Sequence, residues 1–390
     1  MTAVRIPSRA AHIVPAQFDV LNSRAAELRA HGHSVISLGQ AVPGFGPPPQ
    51  AIDAAREGLA RADTHIYSAD AGHASLRQAL CDRLDGAHGV HVTPDEVIIT
   101  AGGNQAFMLA LMTLVDPGDE VLLPSPYFVN HQMAIAALGA VPREVPLTEE
   151  RGFVLRWQDL EPSISPHTRA VVVCTPSNPT GAVVPRDELA RVARELAARD
   201  IILFCDETYA RFVYEEEFTS LAALSAWRRN GVVVSTFSKS FGMTGWRVGY
   251  LLAAGHVCEA AIRIQDAMII CAPVPSQVGV EAAVRENWDY PESFRPELML
   301  RRELLAKGLR DIPRLCWTPT AGGFFAFVRV DACRDSSALA AEILERAHVV
   351  TIPGSIFGRS GEGFIRLSYS AASRTELQTA LHRLREFFNA

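Results

Sequence analysis

The sequence predicts an α/β fold in which a large domain, built on a mostly parallel sheet flanked by helices, carries a smaller α+β domain. Between residues 49 and 284, short apolar runs that suit buried strands alternate with helical patterns. The chain has 390 residues, well above the roughly 100–200 residues of one ordinary domain, so a second domain is expected. No repeat with a period of about 20–50 residues is visible, which argues against solenoids and propellers.

Six apolar runs predict the strands of the large sheet, and most of them end in Gly, Pro, Ser or Asp. They lie at 96–100, 120–123, 170–174, 201–205, 232–235 and 248–252. Helical patterns lie between them at 105–114 and 186–199, and the second has Leu189, Val192 and Leu196 on one stripe. Strands separated by helices in this way predict a parallel sheet that helices cover.

The rest of the chain predicts a smaller domain. Apolar residues recur near helical spacing over 293–312, which suggests a long helix leaving the sheet domain. Further strands are expected at 324–330 and 364–369, with helices at 337–347 and 374–388. The N-terminal segment, with a helix at 18–31, is expected to join this domain. The predicted boundaries are 1–48 for the N-terminal segment joining the small domain, 49–284 for the large domain and 285–390 for the C-terminal small domain.

Composition and charge argue against several classes of function. Apolar residues make up 48% and charged residues 21% of the chain, close to the globular average, so disorder is not indicated. A net charge of −6 is too mild to predict a nucleic-acid or membrane-surface partner. No apolar stretch reaches the roughly 18–20 residues of a membrane helix, and residues 1–9 lack the hydrophobic segment of a signal peptide. The seven cysteines include no CxxC pair, so they predict reduced thiols, a cytoplasmic location and no metal site.

Distinctive residues follow the predicted strands, at the edge where open α/β sheets build their ligand sites. Gly103 and Asn104 begin a helix after the first strand, and the free N–H groups of such a start bind anions, although a tight turn has the same composition. Tyr127, after the second strand, offers a flat face for a heterocycle or for simple packing. Asn178, after the third, stands near prolines and can present its amide, although turn chemistry also explains that pattern.

Asp206 follows the apolar strand at 201–205, where an unpaired carboxylate would be costly. An arginine or a helix N-terminus would satisfy it. So would a protonated pyridine nitrogen, which Asp206 would keep charged so that the ring accepts electrons. Tyr209, three residues on, is placed to hydrogen-bond a phenolic oxygen of the same ring.

Lys239 is the most informative residue. Isolated lysines in serine-rich loops are usually solvated, but this lysine has Thr236 and Ser238 beside it and Arg247 eight positions on. The arginine offers a bidentate fork for a phosphate. Burial and nearby positive charge lower the pKa of a lysine, which favours imine formation. The segment therefore predicts an aldehyde cofactor that carries a phosphate.

In the small domain, Arg366 lies in a strand between apolar neighbours. A guanidinium in that setting is a candidate clamp for a carboxylate, and equally one half of a structural salt bridge. The loop over 37–48 is rich in rigid turns and is placed to close over a substrate.

Taken together, these motifs resemble the class I/II, fold-type I aminotransferases, which use pyridoxal 5′-phosphate (PLP). The resemblance covers roughly 37–370, with the motifs in matching order. The run Ser-x-Lys followed by Met-Thr-Gly-Trp-Arg-Val-Gly is specific by itself, and Ser-Asn-Pro-Thr-Gly and Asp-Glu-x-Tyr agree with it.

The resemblance implies a role for each residue toward the cofactor. Lys239 would form a Schiff base with PLP and move the substrate proton, and Asp206 would pair with the pyridine nitrogen. Tyr209 and Asn178 would bond the 3′-oxygen, and Tyr127 would stack on the ring. The phosphate would be held by Gly103, Asn104, Thr236, Ser238 and Arg247.

The resemblance also implies how substrate and partner bind. Arg366 and Asn178, with Gly39 behind them, would hold the α-carboxylate. Tyr67 would reach the phosphate of a neighbouring subunit, which implies a homodimer. The implied activity moves the α-amino group of an L-amino acid to a 2-oxo acid by a ping-pong route.

Two departures from the family pattern bear on the substrate and on the phosphate. The loop from Gly39 has the Gly-Gln-x-x-Pro pattern of glutamine, kynurenine and methionine transaminases, which favours a neutral or aromatic substrate over aspartate. Gly102 replaces a serine of several relatives, so its contact with the phosphate would be through the backbone only.

Two alternatives differ in activity. A PLP-dependent C–S β-lyase of the same fold would need no oxo acid. An amino-acid-sensing regulator would need a DNA-binding domain ahead of the site, and only about 36 residues precede the first site loop.

Overall fold

The computed structural model describes residues 13, 18–215 and 217–389, and it confirms the α/β fold class. The helices are α1 (Phe18–Ala30), α2 (Pro49–Gly58), α3 (Ala74–His88), α4 (Gly103–Leu114), α5 (Val129–Leu138), α6 (Trp157–Leu160), α7 (Arg186–Ala197), α8 (Phe237–Ser240), α9 (Gly255–Ile269), α10 (Val274–Glu286), α11 (Arg295–Arg310), α12 (Ser336–Ala347) and α13 (Arg374–Asn389). The strands are β1 (Ile36–Ser37), β2 (Val97–Thr100), β3 (Glu120–Ser125), β4 (Val141–Pro146), β5 (Thr168–Cys174), β6 (Ile202–Asp206), β7 (Gly231–Thr236), β8 (Gly249–Leu252), β9 (Leu315–Cys316), β10 (Phe325–Val330), β11 (Val349–Val350), β12 (Ile352–Pro353) and β13 (Phe364–Ser368).

A seven-stranded sheet forms the centre of the large domain, in the order β2-β8-β7-β6-β5-β3-β4. The strands from β7 across to β4 run parallel, and β8 runs antiparallel to both of its neighbours. The carboxyl ends of β3, β5, β6 and β7 therefore meet at one edge. Asp206 is the last residue of β6 rather than a residue of the loop after it.

The edge strand β4 is not among the strands that the sequence predicts. It contains Pro142 and Pro146, and its side chains alternate between exposed and less exposed positions. Proline cannot donate to a strand ladder, so such a segment is tolerated only at a sheet edge.

Helices cover both faces of the sheet. On one face, α4, α5 and α9 bury side chains such as Phe107, Ile135 and Cys258 against the strands. On the other face lie α2, α3, α7 and α10. The predicted stripe of α7 is buried, since Leu189 and Leu196 are fully covered.

The small domain is built on an antiparallel sheet in the order β12-β13-β10-β9, packed by α11, α12 and α13. The N-terminal segment contacts it in two places. Strand β1 pairs in parallel with β11, and Arg24 of α1 forms a bidentate ion pair with Glu345, at 2.5 and 2.9 Å. The assignment of residues 1–48 to the small domain stays a prediction.

None of the helices described is long and apolar enough to cross a membrane. All seven cysteines are free.

Candidate active site

A cleft of about 690 Å³ opens at the carboxyl ends of the parallel strands, between the large and small domains. Most of the predicted site residues line this one cleft. They are Gly103, Asn104, Asn178, Asp206, Tyr209, Thr236, Ser238, Lys239, Arg247 and Arg366.

Lys239 lies on the short helix α8, which begins directly after β7. The Thr236 side chain accepts a hydrogen bond from the Ser238 backbone N–H at 3.1 Å and so fixes the start of the helix. The Lys239 Nζ donates to the Ala41 carbonyl at 2.7 Å. Burial lowers the pKa of this amine from 10.5 to about 8, with help from the positive charges of Arg366 and Arg247. Lys239 therefore loses its proton far more easily than an exposed lysine does.

Asp206 is held by two donors at the end of β6. His131 Nε2 lies 3.0 Å from Asp206 Oδ2, and the Thr208 N–H donates to Oδ1 at 3.0 Å. Burial alone would raise the pKa of Asp206, but the hydrogen bond and charge of His131 outweigh it and keep the pKa below its usual value. The carboxylate stays ionised inside the cleft.

Arg247 lines the cleft, and its backbone has a left-handed φ of 56°. Its Nη1 donates to the Thr244 carbonyl at 2.9 Å and lies 3.5 Å from Ser238 Oγ. No carboxylate forms an ion pair with it in the described part of the chain. Beside it, Gly102 has φ 84°, and a Cβ at Gly102 would collide with the Arg247 guanidinium. The glycine therefore makes room for the arginine.

Arg366 is the buried cation of the small-domain wall, with 1% of its surface exposed. Nη1 donates to Asn178 Oδ1 at 2.7 Å, and Nη2 donates to the Gly39 carbonyl at 2.5 Å. The structural salt bridge that the sequence left open is not formed, and Nε is buried without a partner among the described residues. Burial lowers the pKa of this guanidinium to about 10. An anion bound beside Arg366 would offset the cost of burying its charge.

The aromatic residues predicted for the site are placed differently from one another. Tyr209 is buried in the cleft, and burial raises the pKa of its hydroxyl. Tyr127 does not line the cleft, and its hydroxyl donates to Glu144 at 3.2 Å. Phe128, the next residue, lines the cleft instead. Tyr67 is 73% exposed and lies outside the cleft of its own chain.

His131 and Phe128 also line the cleft, although neither is among the site residues predicted from the sequence. Both follow β3 within six residues, at the same sheet edge as Asp206. Their position just after a strand end is the sequence feature that could have indicated a place in the site.

The donor set fits PLP. The cleft offers a lysine of lowered pKa for an aldehyde and an ionised Asp206 for a pyridine nitrogen. It also offers Arg247, with which no acidic side chain of the described residues pairs, for a phosphate. The N–H groups at the start of α4 lie beside that arginine and suit the same anion. Within the described residues, no group of three His, Cys, Asp or Glu side chains is arranged to hold a metal ion.

Comparison with known proteins assigns the family. The sequence profile described as aminotransferase class I and II matches residues 33–384. Aromatic-amino-acid aminotransferase 2 of Thermococcus litoralis is 35% identical and covers 90% of each chain. The aspartate/prephenate aminotransferase of Thermus thermophilus is 34% identical over 95% of each chain.

Solved structures agree. The aspartate aminotransferase of Thermus thermophilus with maleate superposes with a TM-score of 0.92 at 32% identity, covering 98% of this chain and all of the other. The aromatic aminotransferase of Pyrococcus horikoshii superposes with a TM-score of 0.87 at 32% identity, covering 95% of this chain and 98% of the other. The chain therefore belongs to the class I and II aminotransferases and is a PLP-dependent aminotransferase.

Proposed function

We propose that this enzyme moves the α-amino group of a neutral or aromatic L-amino acid to a 2-oxo acid by a ping-pong route, with PLP attached covalently to Lys239. One observation carries the proposal. Lys239, Arg247 and Arg366 line a single cleft together with the ionised Asp206. These groups match an aldehyde, a phosphate, a carboxylate and a pyridinium nitrogen respectively.

The residues around the cleft divide between the parts of the cofactor. Arg247 would hold the phosphate with Gly103, Asn104, Thr236 and Ser238. Asp206, braced by His131, would hold the ring nitrogen, and Tyr209 and Asn178 would bond the 3′-oxygen. Phe128 takes the stacking role predicted for Tyr127, because it is the residue that faces the cleft. PLP, when bound, supplies an electron-accepting ring that makes the Cα–H bond of the amino acid acidic.

Lys239 is the group that moves the proton. With a pKa near 8, its Nζ can accept a proton from Cα when it is neutral and, once protonated, is acidic enough to give that proton up again. The Ala41 carbonyl, 2.7 Å from Nζ, holds the amine at the small-domain wall. Arg366 would fix the α-carboxylate, so that Cα stands within reach of the lysine.

The lining of the cleft supports a substrate without a second carboxylate. Its basic residues among those described are Lys239, Arg247, Arg366 and His131, and each already has a partner or a proposed ligand. The loop residues beside the substrate space are Gln40, Ala41 and Val42, an amide and two apolar side chains. The relatives named above include both aspartate and aromatic enzymes, so their names do not decide between the two classes.

We further propose a homodimer in which Tyr67 reaches the neighbouring site. Tyr67 and Ile66 are 73% and 66% exposed, a large apolar surface for adjacent residues.

We also propose that residues 1–48 and 285–390 form one small domain and that the protein is cytoplasmic. The free cysteines support the cytoplasmic location. The β-lyase alternative is not carried further, because the relatives are named aminotransferases.

Half-reactions test the proposed substrate class. The PLP-loaded enzyme is mixed with one amino acid at a time, without an oxo acid, and the visible absorption of the cofactor is followed. Phenylalanine, tyrosine, methionine or glutamine should bleach the visible band and release the matching oxo acid in a one-to-one amount. Bleaching by aspartate alone would overturn the substrate assignment, and release of pyruvate with a thiol from cystathionine would restore the lyase.

A further inference from the structure

Three aromatic rings surround the Arg366 guanidinium. The carbon Cζ lies 5.1 Å from the ring centres of Phe325 and Phe357 and 5.6 Å from that of Phe18. Phe325 and Phe357 are fully buried in the scaffold, whereas Phe18 is half-buried. Of the three rings, only Phe18 lines the cleft. Phe18 therefore stands between the buried cation and the open part of the site.

Phe18 is held in place from the small domain. It is the first residue of α1, whose Leu21, Ala25 and Leu28 are buried. The ion pair between Arg24 and Glu345 ties this helix to α12. The ring and Arg366 are therefore attached to the same domain.

Asp19 adds a negative charge beside this ring. It follows Phe18 in α1, is exposed, and also lines the cleft. The wall that α5 supplies to the same cleft is mainly apolar, with Met133, Ala134 and Ala137 among its side chains. A substrate side chain that extends from the carboxylate clamp toward the mouth would meet an aromatic face, apolar side chains and one carboxylate.

We propose that Phe18 and Asp19 are specificity-determining residues, which favour uncharged apolar side chains and disfavour dicarboxylates. Phe18 would cover the ion pair between Arg366 and the α-carboxylate and exclude water from it, which strengthens the pair. Asp19 would repel a second carboxylate at the mouth of the cleft. This inference rests on the proposed function, since it specifies which substrates that function accepts.

Binding of unreactive analogues tests the inference without turnover. The PLP-loaded enzyme is titrated by calorimetry with 3-phenylpropanoate, which has one carboxylate and an apolar end, and with glutarate, which has two carboxylates. Phe18→Ala should weaken 3-phenylpropanoate binding about tenfold and glutarate binding by a clearly smaller factor, because both ligands lose the covered ion pair with Arg366 but only 3-phenylpropanoate also loses contact for an apolar end. Phe18→Leu keeps apolar volume at the site, so its affinity for 3-phenylpropanoate should lie between those of the wild type and of Phe18→Ala. Asp19→Asn should tighten glutarate binding roughly two- to fivefold.

The controls make the same two kinds of substitution, Phe to Ala and Asp to Asn, at positions outside the cleft. Phe387→Ala removes a partly buried ring that also packs over an arginine, Arg346, at 5.0 Å, and Asp53→Asn neutralises an exposed acid on α2. Neither control should change the ratio of the two affinities. In steady state, Phe18→Ala should raise KM for phenylalanine far more than it lowers kcat.

The outcomes separate this inference from the function on which it rests. An unchanged affinity ratio in both Phe18 variants and in Asp19→Asn would refute the specificity role, even if half-reactions proceed normally. Failure of every amino acid in the half-reaction assay would refute the proposed function, and the analogue affinities would still measure what the cleft selects.

Discussion

The buried amine of Lys239 should make the cofactor-free protein less stable than a variant without it. In the folded chain the pKa of this lysine falls from 10.5 to about 8, first because of burial and then because of Arg366 and Arg247. The perturbation is Lys239→Met, which keeps a similar length and removes the charge. Lys307→Met, an exposed position on α11, is the matched control.

The magnitude follows from linkage. A fall of this size in pKa lowers the free energy of unfolding by about 3 kcal/mol at any pH below 8, where Lys239 is protonated in both the folded and the unfolded chain. The substitution also removes the hydrogen bond from Nζ to the Ala41 carbonyl, which offsets about 1 kcal/mol. The free energy of unfolding of Lys239→Met should therefore exceed that of the wild type by roughly 2 kcal/mol at pH 7.

The sign of the pH dependence is fixed by the same values. Between pH 8 and 10.5 the unfolded chain keeps the lysine proton while the folded chain has released it. The stability of the wild type relative to the variant therefore rises with pH in this window, and the advantage of the variant disappears. Urea denaturation of both apoproteins at equal concentration, at pH 7 and pH 9.5, measures this. A variant no more stable than the wild type at pH 7, or an equal gain at both pH values, would refute the reasoning, as would the same pattern in Lys307→Met.

Three further predictions concern the site. Arg247→Gln should weaken PLP binding by about 10- to 100-fold in a titration of apoprotein, because the bidentate phosphate contact is lost, and unchanged affinity would contradict the phosphate role. Gly102→Ala should weaken PLP binding in the same titration, because its Cβ displaces the Arg247 guanidinium and φ 84° is strained for alanine; wild-type affinity would show that the glycine is not required. His131→Leu should leave folding intact but raise the pKa of Asp206, so that kcat falls about tenfold or more and its acid limb moves to higher pH; an unshifted pH profile would contradict the bracing role.

The residues that carry charge could be predicted from the sequence because their position is tied to strand ends. Asp206 ends an apolar strand, and Lys239 follows another, so parallel strand order brings them to one edge. Arg366 stands in a short strand between apolar neighbours, and a guanidinium buried there had to be either paired or kept for a ligand.

The direction in which a side chain points could not be predicted from its position after a strand end. Tyr127 and Phe128 are neighbours on one turn, and only the folded loop decides that Phe128 faces the cleft while Tyr127 contacts Glu144. His131 lies on α5, where apolar residues are spread around the helix rather than along one stripe, so the pattern gave no orientation. For Gly102 the sequence indicated only a missing side-chain contact, whereas the structure shows that the space belongs to Arg247.

Covalent trapping of the cofactor is the sharpest test of the role of Lys239. The 37 basic residues are 35 arginines and two lysines, Lys239 and Lys307, so assignment of a modified lysine is unambiguous. The PLP-loaded enzyme is reduced with borohydride, digested and mapped by mass spectrometry. One reduced cofactor per chain is expected, on the peptide that contains Lys239. Label on Lys307, or no label in an enzyme that still transaminates, would contradict it.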